Sequence, residues 1–136
     1  MPKPRINVVD SGLARPAAAG DGPLLNIVDS ALTTVGAGTL LASIIQTGLL
    51  LRTGPTAAYA DTIDTGANLD AAMPNLAVGD TLDFWYSNNV AFACTITAAA
   101  GVTLGTAAAN NVVPANSSRL IHLEKVGTAS YHLYVI

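Results

Sequence analysis

The sequence predicts an all-β fold: a jelly-roll-like antiparallel β-sandwich or barrel with one short helix and an extended N-terminal arm. Three observations carry that expectation. From Gly79 onward, runs of β-formers are separated by turn signals about every eight to twelve residues, the pattern of a sandwich or barrel. The helix–strand alternation that builds a parallel sheet is absent. The first 37 residues are rich in Pro, Gly and Ala, with no helical period and no long alternation, so they cannot build a core of their own. The expected organisation is therefore an arm over residues 1–37 and a folded β-domain over residues 38–136.

The arm contains a near-repeat. Asn7-Val-Val-Asp-Ser-Gly-Leu13 matches Asn26-Ile-Val-Asp-Ser-Ala-Leu32, nineteen residues later. One reading is two similar strand ends of one sheet, or chance. The other is an arm with two docking peptides, each adding to an exposed sheet edge on a neighbouring subunit. In that reading Ile6, Val8, Val9, Leu13, Leu25, Ile27, Val28 and Leu32 are the candidate partner-binding side chains. An arm that orders on binding loses conformational entropy, which suits a permanent assembly.

Thr39 to Thr53 is rich in β-formers and reads as one long strand bent at Gly48, or two short ones; Thr47-Gly48 and the Ile44-Ile45 pair argue against a helix. Thr65 to Pro74 is the one expected helix. Thr65 or Asn68 caps it, Leu69, Ala72 and Met73 share a face, and Pro74 stops it. Its expected role is to plug one end of the sandwich with Leu69 and Met73.

Gly79 to Ile96 holds both phenylalanines, the single Trp and the single Cys. It reads as a hairpin. A three-residue loop at Ser87 to Asn89 sets Tyr86 opposite Val90, Phe84 opposite Phe92 and Leu82 opposite Cys94, so every large group shares one core face with Ile96. Trp85 then points to the opposite face. Burial of an aromatic ring is worth roughly 2–3 kcal/mol, so Trp85 is expected to anchor a contact outside the sheet core. A second hairpin turns at Gly127-Thr128. A three-residue loop there pairs Leu123 with Tyr131, Ile121 with Leu133, Leu120 with Tyr134 and His122 with His132.

Composition narrows the function classes. Only 11 % of the 136 residues are charged, against roughly 25 % in an ordinary soluble domain. Such a chain is expected to hide surface against other chains. A net charge of −3 gives no reason to expect nucleic-acid binding. The single Cys94 rules out an intrachain disulfide and a Cys-rich zinc site. No signal peptide and no membrane span are expected: the most apolar run, Leu40 to Leu51, is broken by Ser43, Gln46, Thr47 and Gly48.

No catalytic constellation is read. His122 and His132 lack the three or four ligands of a zinc site, with only Glu124 close by. Asp61, Asp64, Asp70, Asp80 and Asp83 fall at turn positions, where Asp caps backbone, and the first three miss the EF-hand spacing. Cys94 lies on the expected core face as a small hydrophobe. Arg52 and Arg119 are candidates for inter-subunit salt bridges. The expectation is a non-enzyme without cofactor or metal. A metal-dependent jelly-roll enzyme would need histidines and carboxylates inside the barrel, and here both histidines are expected outside.

Several stretches carry a resemblance: Leu51-Arg-Thr-Gly-Pro-Thr-Ala-Ala-Tyr-Ala-Asp-Thr62, Asn68-Leu-Asp-Ala-Ala-Met-Pro-Asn75, Val78-Gly-Asp-Thr-Leu-Asp-Phe-Trp-Tyr-Ser-Asn-Asn-Val-Ala-Phe92, Ala100-Gly-Val-Thr-Leu104 and Val113-Pro-Ala-Asn-Ser-Ser-Arg-Leu120. In this order, over residues 50–136, they resemble capsid decoration (cement) proteins of tailed phages, of the jelly-roll type found in podophages. The resemblance implies a dimer or trimer on the capsid exterior, assembled in the host cytoplasm. It would bridge neighbouring major capsid proteins, with no nucleic-acid or membrane partner. An oligomeric fibre or receptor-binding head of a phage is the alternative, although no heptads of a stalk precede residue 38.

Overall fold

The computed structural model describes residues 14–16, 23–25, 28–105 and 110–136. In chain order the elements begin with β1 (Ala14–Pro16), β2 (Pro23–Leu25), β3 (Val28–Leu32) and β4 (Gly38–Leu40). A helical turn α1 (Ala42–Ile45), β5 (Gly48–Arg52), β6 (Tyr59–Ile63) and the helix α2 (Gly66–Ala72) follow. Then come β7 (Thr81–Asn88), β8 (Cys94–Thr97), β9 (Val102–Leu104), β10 (Val112–Val113), β11 (Ser117–Gly127) and β12 (Ser130–Val135). The chain is mostly β, as expected.

Two mixed sheets hold the core. One has six strands in the order β3-β5-β7-β11-β12-β9, the other four in the order β10-β8-β6-β4; β1 and β2 pair with each other. Inward residues of both sheets form one cluster: Leu50, Phe84, Tyr86, Ile121, Leu123 and Leu133 from the larger sheet meet Leu40, Ile63, Cys94, Ile96 and Val113 from the smaller. Period-2 burial along β6, β7 and β12 gives each strand one inward face.

The expected antiparallel winding is corrected here. β3 and β5, β5 and β7, β4 and β6, β6 and β8, and β9 and β12 all pair in parallel. From β3 to β11 successive strands alternate between the sheets. From β3 to β8 two crossings bring the chain back beside its own earlier strand in the original direction, whereas β8 and β10, β7 and β11, and β11 and β12 pair antiparallel. Parallel neighbours normally need a long crossover, usually a helix. Here a strand of the facing sheet is the crossover, which a search for helix–strand alternation does not detect.

The Gly79–Ile96 hairpin is corrected by the same alternation. β7 lies between β5 and β11, and β8 lies in the facing sheet beside β6 and β10. Phe84, Tyr86, Val90, Cys94 and Ile96 are buried and Leu82 packs on the core, but Phe92 is exposed. Residue parity identifies the inward face. It does not say whether two inward faces lie side by side or across the core from each other.

The last hairpin forms with its register moved by two. Ile121 pairs with Val135, His122 with Tyr134, Leu123 with Leu133 and Glu124 with His132. A bulge between Lys125 and Gly127 takes up an extra residue, and Ala129 turns the chain at φ 48°. An even shift keeps every side chain on its expected face, so burial cannot distinguish the two registers. His122 and His132 are consequently not opposite each other.

Residues 39–53 are two strands separated by α1, not one bent strand. Gly48, at φ 87°, makes the turn out of the helix. Asp64 explains why so short a helix forms: its Oδ2 accepts the Ala42 N–H at 3.1 Å, the cap that Leu41 cannot supply. Its Oδ1 accepts Thr65 N–H and the Asn68 side-chain amide at the start of α2. Burial pushes Asp64 upward, but these three donated bonds outweigh it and hold its carboxyl below the usual range. α2 itself is the expected helix, capped by Thr65 Oγ1 and burying Leu69 and Met73.

The edge of the folded unit also moves. β3 pairs with β5 along its whole length, and Leu32 packs partly on the core. The second copy of the near-repeat thus ends in a strand of this chain's own sheet. The fold begins by residue 28, ahead of the expected boundary at 38.

At the α2 end, two glycines seat the last hairpin. A Cβ on Gly66 would lie 2.0 Å from the Ala129 carbonyl oxygen, and one on Gly101, at φ 82°, would lie 2.3 Å from it. Asp70 completes the joint, accepting from Ala129 N–H, Tyr131 OH and Lys125 Nζ at 2.8, 2.6 and 2.9 Å. The Tyr131 hydroxyl, Lys125 and the Ala129 amide together hold the Asp70 carboxyl down at about 2. Two outcomes are expected. Gly66→Ala, ordinarily worth about 1 kcal/mol in favour of a helix, destabilises here by at least about 2 kcal/mol in urea unfolding; a stabilised variant would refute the joint. A carboxyl held below its unfolded value stabilises above about pH 4 and loses that contribution as pH falls toward 2. The slope of stability over this window should therefore be shallower in Asp70→Asn, with Asp64 supplying the remainder; identical slopes in acid titrations of the two proteins would contradict it.

Candidate functional site: an interaction surface

Inward parity on β5 and β6 places Arg52 and Asp61 in the core, both fully buried. They form a two-pronged pair, Nε to Oδ2 at 2.8 Å and Nη2 to Oδ1 at 3.1 Å. The remaining guanidinium hydrogens bond the carbonyls of Leu32, Thr34, Gly36 and Thr53. Asp61 also accepts Gly38 N–H at 2.8 Å and Tyr86 OH at 2.6 Å. Desolvation works against the Arg52 charge, but Asp61 more than compensates, and its pKa rises. The expectation of an inter-subunit salt bridge at Arg52 is corrected: its partner is Asp61 of the same chain. Arg119 is exposed.

Asn88 is the second post. Its side-chain NH2 bonds the carbonyls of Phe92, Val113 and Pro114, and its Oδ1 accepts Tyr59 OH and Val90 N–H. Tyr59 stacks under Arg52, with the guanidinium carbon 4.8 Å from its ring centre. Burial raises the Tyr59 hydroxyl to about 12 and pushes the Tyr86 hydroxyl and the Cys94 thiol up as well. Cys94 is thus a buried thiol, its Sγ 3.2 Å from the Tyr86 hydroxyl oxygen.

These posts fix four loops at one end of the sandwich: residues 33–37, 53–58, 89–93 and 114–116. None of them contains an Asp, Glu, Lys, Arg or His. Val35 is 65 % exposed and Phe92 39 %, and Thr56, Ala57, Ala58, Ala91, Ala93 and Ala115 are open to solvent. This end is an uncharged, rigidly supported tip. The opposite end carries Asp64, Asp70 and Asp80, each accepting backbone N–H bonds.

A second exposed apolar group lies on the outer face of the six-stranded sheet, among polar neighbours that include Asp83, Ser87, Ser118 and Glu124. Trp85, 47 % exposed, is flanked along its row by Leu49 on β5 and Leu120 on β11. The outer face of the smaller sheet differs: Thr39, Thr62, Thr95 and Thr97 dominate it, with Thr62 and Thr97 hydrogen-bonded to each other at 2.7 Å. Trp85 therefore points away from the core, as its parity required. His122 Nδ1 pairs with Asp83 on this face, and the His122 and His132 rings both lie near Tyr134, at 6.0 and 6.4 Å. No group of three His, Cys, Asp or Glu side chains among the described residues is arranged to hold a metal ion.

Of the other sequence-selected residues, Ile6, Val8, Val9, Leu13 and Ile27 lie outside the described residues. Leu25 and Val28 fall in β2 and β3, and Leu32 contacts the chain's own core. Sequence reasoning missed Asp61 and Asn88. A signal for Asp61 existed: it shares inward parity with Tyr59 and Ile63, so a buried cation had to face it, and Arg52 shares parity with Leu50. No helix among the described residues is long and apolar enough to cross a membrane. No family model matches the chain, and no curated protein or solved structure is significantly similar to it.

Removing one partner of a buried ion pair strands the other, at a cost of about 3–5 kcal/mol. Arg52→Met should lose that much in urea unfolding, and Arg52→Met with Asp61→Leu should regain a large part of it. A single-variant loss under about 1 kcal/mol would contradict the role given to the pair.

Proposed function

We propose that this chain is a structural virion protein that decorates and stabilises a phage capsid by bridging neighbouring major capsid proteins. The uncharged tip is the observation that carries the reading. Three of the stretches that resemble cement proteins contribute to it, through residues 51–58, 88–92 and 113–116. They come together there because Arg52 and Asn88 hold them. Adhesion to another protein needs a preformed surface whose burial strands no charge, and such a surface loses little entropy on docking. Many copies, each adding a modest contact across a capsomer boundary, stabilise the shell additively through avidity. The jelly-roll kinship of the chain belongs to this proposal too.

Purified empty heads test it. Decorated heads should withstand a higher temperature than stripped heads, and Phe92→Asp, which sets a charge in the tip, should weaken head binding at least tenfold, or about 1.4 kcal/mol, in co-sedimentation. Equal rupture temperatures would sink the proposal. Binding to host cells in place of heads would favour the receptor-binding alternative.

A further inference from the structure

We propose that residues 8–12 close the open edge of the six-stranded sheet of their own chain, as an antiparallel strand against β3. β3 is the terminal strand of that sheet, and among the described residues its one strand neighbour is β5. The register shows which backbone groups remain open. Leu32 is level with Arg52 and its C=O accepts the Thr53 N–H, so Val28, Ser30 and Leu32 turn their backbone groups toward β5. Those of Asp29 and Ala31 point the other way, and both residues are exposed. A bare edge of this kind is a template for pairing, and proteins cover or blunt it.

The chain's own topology supplies the cover. β1 and β2 pair antiparallel, with Ala14 level with Leu25 and Pro16 with Pro23. The residues just before β1 therefore start alongside those that lead from β2 into β3. Carried on unchanged, this register opposes residues 7–13 with residues 26–32, one copy of the near-repeat against the other, and Asp10 with Asp29. Two obstacles stand against that. Pro16 and Pro23 have no N–H, so Arg15 and Leu24 are the bonded pair, and even-numbered residues of β2 face β1, whereas odd-numbered residues of β3 face the open edge. Two carboxylates directly opposite each other also repel. One extra residue between 25 and 28, a bulge on the β2–β3 side, removes both. Ser11 and Val9 then exchange backbone bonds with Asp29 and Ala31, while Asp10 and Val8 lie level with Ser30 and Leu32. Polar meets polar and apolar meets apolar at each of these pairs, and Val8 extends the apolar edge that Leu32 packs on the core. A bulge on the other strand would set Val9 against Asp29 and Val8 against Ser30. The arm thus belongs to its own domain, and this assignment is independent of the capsid reading.

Paired cysteines in the full chain test the inference. Asp10→Cys with Ser30→Cys sets two thiols at a non-bonded antiparallel pair, where Cα atoms lie about 4.5 Å apart, within disulfide reach. Oxidised with diamide at about 1 µM, where closure within a chain outruns closure between chains, most molecules should form an intrachain disulfide. The yield should be at least tenfold above that of Asp10→Cys with Ala31→Cys, whose side chains point to opposite faces of the sheet. Cys94 is buried and stays reduced in both. Amide exchange in the wild-type chain reads the same contact without a substitution: the Asp29 and Ala31 N–H groups should be protected at least 100-fold, independently of concentration. If a cysteine variant fails to fold, the exchange measurement decides. Disulfides that form between chains, equal yields from the two cysteine pairs, protection that grows with concentration, or Asp29 and Ala31 amides that exchange as freely as an exposed loop each overturn the proposal. Because neither assay contains a capsid, the outcome is separate from that of the head-binding test.

Discussion

The Arg52–Asp61 pair is the constraint on which the rest depends. Each partner is buried by its own strand's parity, and neither is tolerable alone in an apolar core. Together they join the two sheets, because Arg52 is on β5 of one and Asp61 on β6 of the other. The guanidinium then has hydrogens left over, and the nearest acceptors are carbonyls of the β3–β4 loop. That is why a five-residue segment of Thr, Val, Gly and Ala, with little to bury, is held in one conformation. Asn88 repeats the device for the loops after β7 and β10. The polar network thus has a structural task in this fold. It organises the loops above it while apolar residues below it fill the sandwich.

Much of the local structure was legible in the sequence. The helix of residues 66–72 followed from its Thr65 cap and the Pro74 stop. Trp85 faced outward because its neighbours Phe84 and Tyr86 had to face inward. What the sequence did not disclose was pairing. Alternation specifies a side-chain face, and a strand obeys it equally beside its sequence neighbour or across the core from it. The same degeneracy let the last hairpin move by two residues without exposing a single core group. The α1 turn was hidden for another reason: its cap is Asp64, supplied from 22 residues away. Asp61 is a strand residue of β6 and not the turn residue that its type suggests.

Low charge content has a structural counterpart in this fold. Charges are not thinned evenly; they are absent from the tip loops, while carboxylates collect at the α2 end and Asp83 pairs with His122 beside Trp85. In the proposed role the tip meets the shell, and the strength of the clamp comes from its number of copies. The rigidity conferred by Arg52 and Asn88 matters because a loose tip would lose on docking what the contact gains.

The most direct test is a reconstruction of capsids decorated with the purified chain. The account predicts copies astride the boundary between neighbouring capsid subunits, with loops 33–37, 53–58, 89–93 and 114–116 against the shell and the α2 end facing outward. Shell contact through the α2 end, or capsids that take up no copies, would contradict it.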